Sequence, residues 1–220
     1  MAKKQTRKGL PELTKRNYCF EVRAEENESG RIITGRPIVY ESKTDLGWFD
    51  EIIERGALDG ADLQDVRFLV NHDTSKIPLA RSRRNTANST MQLTVDHEGM
   101  SIRVNLDTEN NADARALYSA VQRGDITGMS FMFGIDDEEW ENLESDHPTR
   151  HIKKISTVVE VSAVTFPAYE STEINARDKS ALDNARSALE SARQSRRGSV
   201  DTDLELEKAK IQTKLLGGIF

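Results

Sequence analysis

The sequence predicts a mainly β fold with peripheral helices, of the α+β class. Three observations carry that prediction. From Tyr18 to about Glu173, short runs of β-branched and alternating apolar residues are separated by Gly, Asn and Asp turn signals. One well-bounded helical stretch, residues 112–123, interrupts them. After Glu173 the apolar spacing changes from the strand period to the helix period.

Taken in order, residues 1–17 read as a flexible basic tail containing Lys3, Lys4, Arg7 and Lys8. Tyr18-Cys19-Phe20-Glu21-Val22 reads as the first strand. Arg31–Gly35 and Pro37–Tyr40 read as strands around a glycine kink. Val66–Val70 is an apolar run that ends in Asn71-His72-Asp73, where turn residues take over. Met91–Asp96 and Met100–Leu106 alternate about His97-Glu98-Gly99, which predicts a hairpin. For the helix over 112–123, Asn110 or Asn111 supplies the cap and Gly124 the stop. The last two strands are expected from about Met129 to Ile135 and from Ile152 to Phe166. Many short strands with few helices point to a β-barrel or sandwich.

The β-rich domain is accordingly set at residues 18–175, with a helical segment over 176–220. In that segment Leu182, Ala185, Leu189 and Ala192 recur at helical spacing, and Leu204, Ile211 and Leu215 suggest a second amphipathic helix. Ser195-Arg196-Arg197-Gly198-Ser199 reads as a linker between them. Such stripes need a partner surface, either the same domain or another protein.

Composition narrows the function classes. A net charge of −6 argues against nucleic acid as the main partner, because phosphate binding needs a positive surface. No apolar stretch approaches the ~20 residues that span a bilayer, and no apolar run follows the basic start as in a secretory signal. Cys19 is the only cysteine, so an internal disulfide is excluded and a reducing cytoplasm fits. Its place in an apolar run reads as a small core hydrophobe rather than a nucleophile.

Three segments hold chemistry-bearing residues. His72 lies at the end of an apolar strand, where a scaffold can present a catalytic group; alone, it also reads as a surface or capping residue. In Gly124-Asp125-Ile126-Thr127-Gly128-Met129-Ser130-Phe131-Met132-Phe133-Gly134, strand geometry puts Met129, Phe131 and Phe133 on one face and Ser130 and Met132 on the other. A serine hydroxyl attacks at neutral pH only when a base takes its proton. Glu160 is a charge inside the apolar run Val158–Pro167, so it must face water or find a partner. With a histidine as partner it would orient the ring and complete a triad. The chain order His72, Ser130, Glu160 is no objection, since triads recur in unrelated orders.

Metal chemistry fits less well. His147 and His151 have helical metal-ligand spacing, but Pro148 intervenes and the stretch reads as loop. The acidic run Asp136–Glu139 lacks the spaced ligands of a calcium loop and reads as a solvated loop. No metal or cofactor is expected.

The run Val66–Asp73, Gly128-Met129-Ser130-Phe131, and Glu160–Tyr169 together resemble the prohead maturation proteases of tailed phages. Gly35–Tyr40 and Phe49–Ala57 resemble the same family, in the right order across roughly residues 18–175. The resemblance implies a β-barrel related to herpesvirus assemblin, with a serine nucleophile at Ser130 and a histidine base at His72. Glu160 is the expected third member, with Asp73 and Asp136 as fallback acids. Two positions depart from the family pattern. Met132 stands where many relatives have glycine, and Ala80 precedes Arg81 where relatives often have Gly-Arg. Neither removes a catalytic group.

The resemblance further implies a serine endopeptidase that cleaves the major capsid protein, the scaffold precursor and itself. It would act inside the assembling procapsid in the host cytoplasm, or from a prophage in the bacterial cytoplasm. A homo-oligomer is compatible with this reading, and the helical segment would tether the protease to scaffold or capsid protein. The alternatives are a non-catalytic assembly module on the same fold and an unrelated serine esterase.

Overall fold

A computed structural model of the chain describes residues 13–18, 22–27, 30–165 and 179–216. Among the described residues, eleven strands and two helices follow in order: β1 (Leu13–Tyr18), β2 (Val22–Asn27), β3 (Gly30–Val39), β4 (Lys43–Asp45), β5 (Asp50–Ile53), β6 (Asp65–Val70), β7 (Ala80–Arg83), β8 (Met91–Asp96), β9 (Gly99–Leu106), α1 (Ala112–Arg123), β10 (Gly128–Glu141), β11 (Thr149–Val164) and α2 (Lys179–Leu216). Cys19 and the expected strand end at Phe166 lie outside the described residues, as does most of the expected N-terminal tail.

Hydrogen bonding among the described strands forms two sheets rather than one closed barrel. The first runs β1-β10-β11-β5-β4, with β6 also on β11 and β7 on β6; the second runs β2-β3-β9-β8. Both sheets and α1 face one core, in which Phe131, Phe133, Val161 and Phe68 meet Ile33, Ile38, Ile102, Val104 and Leu117. Full burial of side chains of this size stabilises by about 1.5–3 kcal/mol each.

Local chemistry explains the elements. The α1 cap is Asn111, whose side chain accepts from the Asp113 and Ala114 N–H groups, and Gly124 closes the helix at φ 80°. The β8–β9 turn has Gly99 at φ 140°, where a Cβ would sit 2.0 Å from the Ile38 carbonyl oxygen. Asp96 holds that turn by accepting from the Glu98 and Gly99 N–H groups at 2.8 and 3.1 Å. Its carboxylate also takes a two-pronged bond from Arg36 at 2.6 and 2.8 Å. The glycine kink expected in β3 is a register shift between Gly35 and Ile38 inside one strand.

Three expectations are corrected. Leu13–Tyr18 is a strand on β10, so the chain is engaged before residue 18. Asp136–Glu139 is not a loop but part of β10, its low strand propensity offset by cross-strand pairs with cations. Asp136 meets Lys154 at 3.5 Å, Glu139 meets Lys153, and Glu138 meets Arg150. Finally, Ser195–Ser199 is helical, and α2 is one continuous helix of 38 residues. One interior glycine costs only about 1 kcal/mol relative to alanine, too little to break a helix of this length.

The first turns of α2 pack back on the domain. Leu182, Ala185, Leu189 and Ala192 join Phe49, Trp140, Leu143, Leu46 and Trp48 in a second apolar cluster. Arg193 adds a bond from Nε to the Leu143 carbonyl at 2.7 Å. Farther along, Leu206 and Ile211 are more than half exposed.

Candidate active site

The site is assembled on β11, which has neighbours along both edges. β10 runs antiparallel along one edge, with Ser130 opposite Ser162 and Met132 opposite Glu160. β6 runs parallel along the other, with Arg67 opposite Glu160 and Leu69 opposite Ser162. Strand alternation sends Phe131, Phe133, Val161 and Phe68 into the core and leaves Ser130, Glu160 and Ser162 together on the opposite face.

His72 reaches that face because the chain turns back immediately after β6. Asn71 and His72 take consecutive left-handed conformations, φ 51° and 56°. Such a conformation costs roughly 1–2 kcal/mol per residue, least for Asn, so the surroundings must hold it. They do so through Asn71. Its N–H donates to the Ala163 carbonyl at 2.9 Å. Its side-chain amide donates to Thr165 Oγ1 at 3.0 Å, and its amide oxygen accepts the Thr165 N–H at 3.0 Å.

The imidazole bridges the two predicted partners. His72 Nε2 lies 2.6 Å from Ser130 Oγ, and Nδ1 lies 2.5 Å from Glu160 Oε1. A carboxylate can only accept, so Nδ1 carries the proton and Nε2 is left as acceptor for the serine O–H. The second carboxylate oxygen accepts the Ser162 O–H at 2.6 Å. Ser162 Oγ in turn accepts the His72 N–H at 3.1 Å. A buried carboxylate is tolerable only with such partners, and Glu160 is 1% exposed. Ser130 is fully buried.

The fallback acids are engaged elsewhere. Asp73 accepts from the Ser75 N–H at 3.1 Å and from its hydroxyl at 2.5 Å, which closes a turn. Asp136 is half exposed and faces Lys154. His147 and His151 do not converge: His147 Nε2 is 3.0 Å from Asp50 Oδ1, whereas His151 meets Glu54 and Glu141. Asp45, Asp50 and His147 do bring ligand atoms within 4.8 Å of one another. The Lys43 ammonium already sits on Asp50 at 2.8 Å. Of the two departures, Met132 is nearly buried beside Glu160, and Ala80 is buried opposite Phe68.

A serine, a histidine and a glutamate in one hydrogen-bonded row is an arrangement for activating a hydroxyl. Residues 19–186 match the model of the caudovirus prohead serine protease family. The chain belongs to that family. It is also similar to the prohead protease of Enterobacteria phage HK97, 28% identical over 173 residues that cover 76% of this chain and 70% of that one. The solved capsid assembly protease of bacteriophage T4 covers 72% of this chain and 100% of its own, at 12% identity and a TM-score of 0.44. As a prohead serine protease, the chain is a serine-type peptidase of phage head maturation.

Two site residues escaped sequence reasoning. Ser162 was visible only as a small polar residue two positions after Glu160, on its face; that i, i+2 relation is the signal that finds it. Asn71 was readable as a left-handed turn residue next to the histidine, but not its clamp on Thr165.

Proposed function

We propose that Ser130 is the nucleophile, His72 the general base and Glu160 the orienting acid of an endopeptidase. The observation that carries this reading is the unbroken row from Ser130 Oγ through His72 to Glu160. His72 Nε2 takes the hydroxyl proton as Ser130 attacks the scissile carbonyl. The same nitrogen then returns the proton to the leaving amine, and an acyl-enzyme remains on Ser130. Water activated by His72 releases the acid and restores the serine. Glu160 stabilises the transient imidazolium and keeps Nε2 facing Ser130.

The substrates are capsid precursor proteins: the major capsid protein, the scaffold precursor and the protease itself, cleaved within the procapsid in the host cytoplasm. The exposed end of α2, beyond the turns that pack on the domain, is a tether to one of these partners. Co-expression with the cognate capsid precursor tests the reading. Wild type should convert the precursor to a shorter band, and folded Ser130→Ala should leave it intact. Conversion by Ser130→Ala would overturn it.

A further inference from the structure

Ser130 is enclosed on every side. The core lies beneath Ser130, where Met129, Phe131 and Phe133 are fully buried. Along one edge of its strand lies β11, with Ser162 opposite. His72, with a side chain 9% exposed, and Glu160 occupy the face above. Along the remaining edge lies β1, antiparallel, with Leu13 opposite Gly134, Arg16 opposite Phe131, Asn17 opposite Ser130 and Tyr18 opposite Met129. A strand neighbour sits only ~4.8 Å away, so β1 fills the space from which a peptide backbone would approach the hydroxyl.

The four sides are not equally removable. β11 is pinned by β10, β5 and β6, and the face above is the catalytic row itself. β1 is a six-residue strand at the end of its sheet; among the described residues β10 is its only strand partner, and α2 touches it as well. An edge strand held by one short ladder and a small contact with a helix belongs to the less stable, earlier-opening parts of a fold. Its departure would expose unpaired N–H and C=O groups on β10 beside Ser130, a surface to which extended peptides add.

We propose that β1 is a built-in plug: it occupies the outer edge of the Ser130 strand in the resting chain, and an extended substrate peptide must replace it. This rests on the reading of Ser130 as nucleophile. It deepens that reading by giving the protease a resting, self-covered state, suited to an enzyme that travels among its own substrates before assembly is complete. The apparent rate of attack on Ser130 is then the intrinsic rate multiplied by the fraction of chains with β1 undocked.

The test is the rate at which a fluorophosphonate probe labels Ser130, in the full chain, in a chain lacking residues 1–18, and in the Arg16→Pro/Asn17→Pro variant. If β1 is docked nine-tenths of the time or more, both variants should label about 10-fold faster or better. A synthetic peptide of residues 10–20 added to the truncated chain should slow labelling again. Should the truncated chain fail to fold by circular dichroism, the proline variant decides. Equal or slower labelling in a folded variant overturns the plug. Absence of labelling at Ser130 in all three proteins instead overturns the nucleophile assignment.

Discussion

Ser162 and Glu160 stand two residues apart on β11, and the Ser162 hydroxyl donates to Glu160 Oε2 at 2.6 Å while its oxygen accepts the His72 N–H at 3.1 Å. One side chain thus fixes both the Glu160 carboxylate and the backbone of His72. Ser162→Ala leaves a buried carboxylate oxygen and a backbone N–H without that partner, a loss of about 1–3 kcal/mol. Expressed in catalysis, the same range is a fall of roughly 5–150-fold in kcat/KM. Steady-state cleavage of a capsid-derived peptide measures it. Ser162→Thr, which keeps the hydroxyl, should recover part of the rate, and equal loss in both variants would reduce Ser162 to a packing role.

Glu160→Gln keeps size and shape but turns an acceptor-only group into one that also donates, so the imidazole loses its reason to keep Nδ1 protonated. By the behaviour of triads generally, kcat should fall by about 10³–10⁴-fold. Asp73→Asn and Asp136→Asn should remain close to wild type. Comparable loss in either would move the acid away from Glu160.

Asn71→Ala removes both the residue type that tolerates φ 51° and the clamp on Thr165. Stability should fall by roughly 1–2 kcal/mol, the cost of a left-handed alanine. Activity should fall more than urea unfolding accounts for, because His72 is the next residue. Loss of stability with kcat unchanged would show that His72 holds its place without the clamp.

Acid sensitivity should concentrate in the β8–β9 turn. The two-pronged bond from Arg36, helped by the Glu98 N–H, holds the Asp96 carboxyl well below the usual carboxylate range. A depressed folded-state pKa contributes stability above the unfolded value, about 3.9, and loses it as pH falls further. The difference in Tm between wild type and Asp96→Asn should therefore be constant above about pH 5 and shrink below about pH 4. Thermal melts from pH 2 to 7 test this, and a gap that widens on acidification contradicts it.

Ser130, His72 and Glu160 were legible as candidates because each sits where a local rule marks it: a polar residue opposite an aromatic face, a strand end, a charge in an apolar run. Their convergence was not legible from spacing, since it depends on β6 and β10 flanking β11. The hairpin about Gly99 and the α1 caps are local and were read closely. Asp136–Glu139 was misread because its strand character comes from Lys153, Lys154 and Arg150 across the ladder. The Ser195–Ser199 linker was misread because polar residues with one glycine remain helical when the flanking turns already are. β1 was missed because its pairing with β10 joins residues more than a hundred apart in the chain.

The most direct test of the triad is mass mapping of the serine-reactive phosphonate adduct on the wild-type chain. One adduct is predicted, on the peptide containing Ser130, and it should be lost in His72→Ala while the fold is retained. An adduct on a different serine, or peptide cleavage that continues with Ser130 unmodified, would contradict the account.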